Sequence, residues 1–274
     1  MTIITETKSL LPLVKWLGGK RRIAPRITTL FNSKKHTRLI EPFAGGGAVS
    51  FYINNPVTIL NDTNPHLINL YQQVQNGLVI DITFENTREC YDAARKRFNE
   101  LILSDNANNT EAAQLFYFLN KQGFNGLCRF NNKGLYNVPF GKYNKLNIKT
   151  DLIEYTNYIK DWTFTSTDFS YVETTPGDFV YCDSPYDSDV SFTKYTQQDF
   201  TWNDHIRLAE WVSTLKCSVC ISNQLTPRVI DLYSKLGLTI DIFNAARTVS
   251  CNGDRIPKME MIAYKIVWLC CILY

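Results

Sequence analysis

The chain has 274 residues, 45% apolar and 13% aromatic, enough to bury an ordinary core in one large α/β domain with an insertion or in two modest domains. That composition excludes a disordered or low-complexity protein. The net charge of +3 is too small to identify a nucleic-acid partner, but the charge is unevenly spread. Residues 7–40 hold nine Lys or Arg and no acid, and residues 120–149 hold six and no acid, as phosphate-binding surfaces do. Two solvated faces are the plainer reading. The eight cysteines are scattered. Cys217-x-x-Cys220 falls in an apolar run, with no second pair or nearby His to complete a zinc set, so no metal site is expected and buried reduced thiols are. Reduced thiols suit a reducing cytosol. The N-terminus lacks the apolar core of a signal peptide, and the apolar stretch 262–274 is too short to span a bilayer.

In chain order, Leu11-Pro-Leu-Val-Lys-Trp-Leu-Gly-Gly-Lys20 comes first. Gly18-Gly19 permits close backbone approach, and the residues after it read as the opening of a basic helix, so Lys20 is placed to meet an anionic group such as a carboxylate. Leu39-Ile40 is a short strand, followed by Glu41-Pro-Phe-Ala-Gly-Gly-Gly-Ala-Val-Ser50. Such a glycine-rich turn lets a ligand approach the backbone, and the dinucleotide spacing Gly-x-Gly-x-x-Gly is absent. Residues 57–60 form the next strand, ending in Asn61-Asp62. An acid there can accept from both ribose hydroxyls of an adenosyl group, or the pair can simply form a turn.

Residues 65–149 differ in character. Tyr91, Ala94, Phe98 and Leu101 recur at helical spacing, as do Ala112, Leu115, Phe116 and Leu119 after Thr110, an expected N-cap. Residues 122–143 are rich in Gly and Asn, basic and interleaved with aromatics, as in a hairpin that touches DNA. Arg can pair with guanine O6 and N7, while apolar groups meet thymine methyls. A surface hairpin with an aromatic core is the alternative. Residues 163–169 read as a strand ending in Asp168. Phe179-Val-Tyr-Cys182 reads as a buried strand that Asp183 ends and Ser184-Pro185 stops. Acid, turn and aromatic then lie where open α/β sheets place ligands, although a strand-ending Asp also caps turns. Ile206, Ala209, Trp211, Val212 and Leu215 give an amphipathic helix. Strands come next at 218–222, 238–243 and 259–266, and 267–274 reads as a docked terminal strand.

Asp183-Ser184-Pro185-Tyr186 resembles the Asp-Pro-Pro-Tyr signature of amino-group methyltransferases that act on nucleic acid bases, with Ser184 replacing the first proline. More of the chain resembles Dam-type DNA adenine-N6 methyltransferases, from Val14 to about Tyr264. Trp16-x-Gly-Gly-Lys20 is similar to their first cofactor motif, and Phe43, Gly45 and Gly47 to their Phe-x-Gly-x-Gly. With Asp62, Asp168 and Asp183, these residues are implied contacts to S-adenosylmethionine. Phe124-Asn-Gly-Leu-Cys-Arg129 and Asn137-Val-Pro-Phe-Gly141 resemble the target-recognition segment, implying Asn125, Leu127, Arg129, Pro139, Tyr143 and, beside Trp16, Lys15 as DNA contacts. Phe192–Tyr195, Phe200–His205 and Ser250–Arg255 add shorter matches. The resemblance implies a seven-stranded, mainly parallel class I methyltransferase sheet (residues 1–64 and 150–274) carrying a helical and hairpin DNA-recognition domain at 65–149.

The implied reaction is direct methyl transfer from S-adenosylmethionine to N6 of an adenine in double-stranded DNA, within GATC. An exocyclic amino group is a poor nucleophile because its lone pair is delocalised into the ring. The Asp183 carboxylate and the Ser184 carbonyl can accept its two hydrogens, freeing that lone pair, so catalysis comes from orientation and electrostatics. Pro185 completes the turn, and Tyr186 stacks on the extruded base. No Pro-Cys dipeptide exists, so the cysteine route to 5-methylcytosine has no candidate. A cytosine-N4 methyltransferase and a catalytically silent DNA-binding module are the rival readings. The expected setting is the cytoplasm of a prokaryotic or virus-infected prokaryotic cell, with no membrane or obligate protein partner.

Overall fold

The computed structural model describes residues 9–187, 200–245 and 258–267. Its elements are α1 (Ala24–Asn32), β1 (Arg38–Glu41), α2 (Ser50–Ile53), β2 (Thr58–Asn61), α3 (Pro65–Gln75), α4 (Arg88–Leu103), α5 (Thr110–Gln122), α6 (Ile153–Ile159), β3 (Thr163–Thr165), β4 (Asp178–Cys182), α7 (Trp202–Thr214), β5 (Ser218–Gln224), α8 (Pro227–Ser234), β6 (Thr239–Ala245) and β7 (Lys258–Lys265). The strands form one seven-stranded sheet in the order β3-β2-β1-β4-β5-β7-β6. The first five pair in parallel, and β7 runs antiparallel between β5 and β6. The expected mainly parallel sheet is present.

All of β4 and most of β5 are buried, because helices cover both faces of a parallel sheet. Side chains alternate along β4 accordingly. Phe179 and Tyr181 meet Ala24, Ile27 and Phe31 of α1 on one face. Val180 and Cys182 meet Leu208 and Val212 of α7 and Val229 of α8 on the other. Cys217 and Cys220 are buried free thiols in this core, as the apolar run around them led us to expect.

Beyond β2 and β3 a third apolar cluster runs without interruption into α3, α4 and α5. α3 begins at Pro65 because the Asn64 side chain accepts from the His66 and Leu67 N–H groups at 3.1 and 3.2 Å. Tyr71 then stacks on Phe164 of β3 with ring centroids 5.5 Å apart, and its hydroxyl donates to the Gly46 carbonyl at 3.0 Å. α3 thus packs on both the sheet and the helices α4 and α5. Residues 123–140 fold back as a hairpin with antiparallel bridges Gly123–Phe140 and Phe130–Tyr136. Asn99 of α4 holds it, donating to the Tyr136 carbonyl at 3.0 Å and accepting from its N–H at 2.8 Å.

Three local expectations need correction. The N-cap of α5 is Asn109, whose side chain accepts from Ala112 N–H at 2.8 Å, and Thr110 is the first helical residue. β3 stops at Thr165, and Asp168 instead caps a 3-10 turn, Phe169–Tyr171, by accepting from Ser170 N–H at 3.0 Å. The helix after Gly18-Gly19 starts only at Ala24, after a turn in which the Lys20 carbonyl accepts from Ile23 and Ala24. The matches at Phe192–Tyr195 and Ser250–Arg255, and the terminal strand beyond Val267, lie outside the described residues.

Candidate active site

The strand order reverses between β1 and β4, so the carboxyl ends of β1, β2 and β4 frame one crevice. Each end delivers an acid: Glu41, Asp62 and Asp183. Gly45 and Gly47 hold positive φ of 47° and 66° in the turn after β1, where side chains are strained. A Cβ on Gly45 would lie 2.6 Å from Trp16 Nε1, so this glycine is what lets the indole lie on the turn.

Asp62 ties that turn to α3. Its Oδ2 accepts from Gly45 N–H and its Oδ1 from Asn64 N–H, both at 2.9 Å. Each oxygen keeps a lone pair for a further donor. Burial pushes its pKa above the ordinary carboxylate value, opposed by the two N–H groups. Phe43 packs on Phe169 at 5.3 Å and edge-on to Phe200 at 5.7 Å, giving an aromatic wall beyond Asp62. Asp168 stands at its rim, where Ser170 N–H and Arg207 Nη2, at 3.0 and 2.9 Å, converge on Oδ1. Its pKa lies below the ordinary value: burial raises it, and the donors from Ser170 and Arg207 outweigh that.

Asp183 sits just past β4. Its Oδ1 accepts from Ser222 Oγ at 2.7 Å and lies 3.1 Å from Lys20 Nζ. The same ammonium donates to the Gly18 carbonyl at 2.7 Å and stands 4.3 Å over the Tyr186 ring. Lys20, read from the sequence as a partner for a ligand carboxylate, is here paired with the chain's own. The Tyr186 hydroxyl donates to Glu260 Oε2 at 3.0 Å, and burial, then the Asp183 charge, raises its pKa. Ser184 is buried with an Oγ that has no hydrogen-bond partner among the described residues, and Pro185 is exposed.

Glu41 lies beneath these groups, with Oε1 accepting from both the N–H and the hydroxyl of Ser50. Burial lifts its pKa to about 8, despite the Ser50 donors. A carboxyl whose folded pKa is raised from 4.5 to about 8 binds more protons folded than unfolded across that window, so stability falls as pH rises through it. Replacing it by a neutral isostere removes that dependence. Glu41→Gln should therefore lose less stability than wild type between pH 6 and pH 9 in urea titrations. Equal losses would mean that Glu41 is already ionised at pH 6.

Immediately before Trp16, Lys15 packs against residues 120–143. Asn120 brackets its backbone, accepting from Lys15 N–H and donating to its carbonyl, both at 2.8 Å. Its ammonium donates to the Lys121 carbonyl at 2.6 Å and stands 3.7 Å over the Tyr143 ring. Gly126, at φ 65°, is needed because a Cβ there would meet Lys15 Cβ at 2.6 Å. Asn125 is exposed in the left-handed region at φ 53°, Pro139 is exposed and Leu127 half-buried. Arg129 reaches outward, its Nε donating to Asn137 Oδ1 at 2.8 Å. The cofactor-side and DNA-side candidates thus form two separate groups, linked by the short stretch from Lys15 to Lys20. Sequence reasoning missed Glu41, Ser222, Glu260 and Arg207. A lone acid or serine inside an apolar strand carries no periodic signal, and only strand register brings Ser222 beside Asp183.

A seven-stranded sheet in this order, with helices on both faces and an acid at the end of its first, second and fourth strands, is that of the class I S-adenosylmethionine-dependent methyltransferases. Residues 16–249 match the D12 class N6 adenine-specific DNA methyltransferase family, to which the chain belongs. A DNA adenine methylase of Haemophilus influenzae is 34% identical over 272 residues, covering 92% of both chains. A type II methyltransferase of Lactococcus lactis subsp. cremoris is 33% identical over 281 residues, covering 96% of this chain and 98% of its own. A DNA N-6-adenine-methyltransferase of Escherichia phage P1 is 34% identical over 258 residues, with this chain spanning 33% of its length. The protein is accordingly an S-adenosylmethionine-dependent, adenine-specific DNA methyltransferase. No helix among the described residues is long and apolar enough to cross a membrane.

Proposed function

We propose that this enzyme methylates the adenine of GATC, with Lys15 and the hairpin residues Asn125, Leu127, Arg129, Pro139 and Tyr143 reading the duplex. What carries this reading is the packing of Lys15 against Gly126 and Tyr143, which puts cationic donors from two distant segments on one recognition unit. Residues 65–149 form that unit in our reading, with α3 anchoring it to the sheet. Plasmid treated with the enzyme and cofactor should become resistant to a nuclease blocked by methylated GATC and sensitive to one that requires it. An unchanged digestion pattern, with label nonetheless transferred to the DNA, would remove GATC and leave adenine methylation intact. The reducing cytoplasm is the setting we infer, since the described cysteines are all free thiols.

The residues lining the crevice suit S-adenosylmethionine. The glycine turn brings bare backbone and the Trp16 indole together at the carboxyl end of β1, Asp62 keeps acceptor capacity for ribose hydroxyls, and the Phe43 wall offers a face to the adenine ring. Trp16 closes the turn, Lys20 would have to share its ammonium between Asp183 and a ligand carboxylate, and Asp168 is the acceptor available to an adenine amino group. When bound, the cofactor supplies an electrophilic methyl group. Asp183 accepts one hydrogen of the target amino group, and the Ser184 carbonyl, which the change from proline leaves in place, accepts the other. Tyr186 supports the base by stacking.

Asp62→Ala should weaken S-adenosylmethionine binding by about 1–3 kcal/mol, the usual cost of unpairing buried hydrogen-bonding groups. Calorimetric titration measures this directly. Unchanged affinity would reduce Asp62 to the clamp between Gly45 and Asn64.

A further inference from the structure

Ser222 lies on β5, fully buried, one residue further along the strand than Ile221, the partner of Cys182. Its Oγ donates to Asp183 Oδ1 at 2.7 Å and stands 2.9 Å from the hydroxyl of Tyr181, which is itself buried on β4. A carboxylate oxygen only accepts, so the single Ser222 proton is committed to Asp183. Tyr181 must then be the donor of its bond to Ser222. The result is a directed chain, Tyr181 to Ser222 to Asp183, anchored in two buried strands. Ser222 also neighbours the Tyr186 hydroxyl, so it stands between the acid and the aromatic of the turn.

The chain meets only one oxygen of the carboxylate. Oδ1 takes both Ser222 and Lys20, while among the described residues no donor reaches Oδ2. An Asp side chain rotates about χ2 with a broad, two-fold preference, so an exposed strand-end acid has no fixed face. A donor anchored in the sheet removes that freedom.

We propose that Ser222, held by Tyr181, is a positioning residue that fixes the Asp183 carboxylate and reserves Oδ2 for the target amino group. The inference rests on the reading of Asp183 as the acceptor of that group. Catalysis by preorganised acceptors depends on orientation before the reaction, so the loss of the Ser222 donor should appear in the transfer step rather than in binding.

The test measures single-turnover transfer, cofactor affinity, duplex affinity and thermal unfolding for Ser222→Ala, Ser222→Thr, Tyr181→Phe and the Ser222→Ala, Tyr181→Phe double variant. Ser222→Ala should slow transfer about 10- to 100-fold, the range for a hydrogen bond to a charged group, with both affinities within about twofold of wild type. Ser222→Thr, which keeps an Oγ, should recover most of the rate. Tyr181→Phe should cost less than Ser222→Ala and should add nothing in the double variant, because its effect passes through Ser222. Additive losses, no rescue by threonine, or a rate loss that merely tracks unfolding would overturn the proposal. Wild-type transfer by Ser222→Ala would also overturn it, whereas activity retained by Asp183→Ala would instead remove the underlying reading of Asp183.

Discussion

Asp183→Ala should abolish methyl transfer, by at least about 100-fold, while duplex binding stays within a fewfold of wild type. Removing one preorganised group at a reacting centre costs about 10²–10³ in rate. Here the loss is compounded, since Lys20 loses its carboxylate at 3.1 Å and Ser222 its acceptor at 2.7 Å. Duplex affinity comes chiefly from phosphate contacts by basic residues elsewhere, so it should be spared. The isosteric Asp183→Asn separates the causes. It keeps an oxygen for Ser222 but loses the charge that faces Lys20, and should fall nearly as far as alanine if the negative charge matters to the amino group. Filter binding and labelled transfer on the same preparations decide it. An alanine variant with more than a tenth of wild-type activity would show that the amino group is held by something else.

How much of this site was legible in the sequence depended on how each residue signals itself. Gly45 and Gly47 were legible as a tight turn after β1, where their positive φ favours glycine, while the cofactor role came from the resemblance alone. Asp183 was legible because the apolar run 179–182 must be a strand and Ser184-Pro185 must end it. The central strands were legible for the same reason, since burial on both faces turns β4 into a continuous apolar stretch. Asp168 misled: a run rich in threonine, Thr163 to Thr167, suggested a longer strand. Edge strand β3 has only β2 to pair with, and the Asp168 side chain offers the backbone a turn instead. Thr110 misled because Asn109 precedes it and caps as well. Ser222, Glu260 and Glu41 were illegible for a deeper reason. Ser222 and Glu260 act on neighbours far away in sequence, which only the register of β4, β5 and β7 supplies, and Glu41 owes its raised pKa to a burial that the assembled sheet creates. The Lys20–Asp183 pair likewise joins distant segments.

Arg129→Ala should lose discrimination at the last base pair of GATC by about 1–3 kcal/mol, with a smaller loss at the first. The guanidinium is held along one edge, with Nε on Asn137 Oδ1 at 2.8 Å and Nη2 on the Asn137 carbonyl at 3.3 Å. That leaves the Nη1–Nη2 edge as the fork for guanine O6 and N7 on the opposite strand. Lys15 is arranged differently. One of its three ammonium hydrogens goes to the Lys121 carbonyl at 2.6 Å, so two remain for the guanine at the first position. Lys15→Met keeps the stem against Gly126 while removing the charge, and should lose discrimination at the first base pair more than at the last. If both cations only clamp phosphates, the pattern changes. Both variants would weaken every duplex equally and flatten the salt dependence by about one ion each. Methylation rates on duplexes altered at one base pair at a time distinguish the two. Uniform losses would assign Lys15 and Arg129 to the backbone and leave the choice of GATC to other residues of the hairpin.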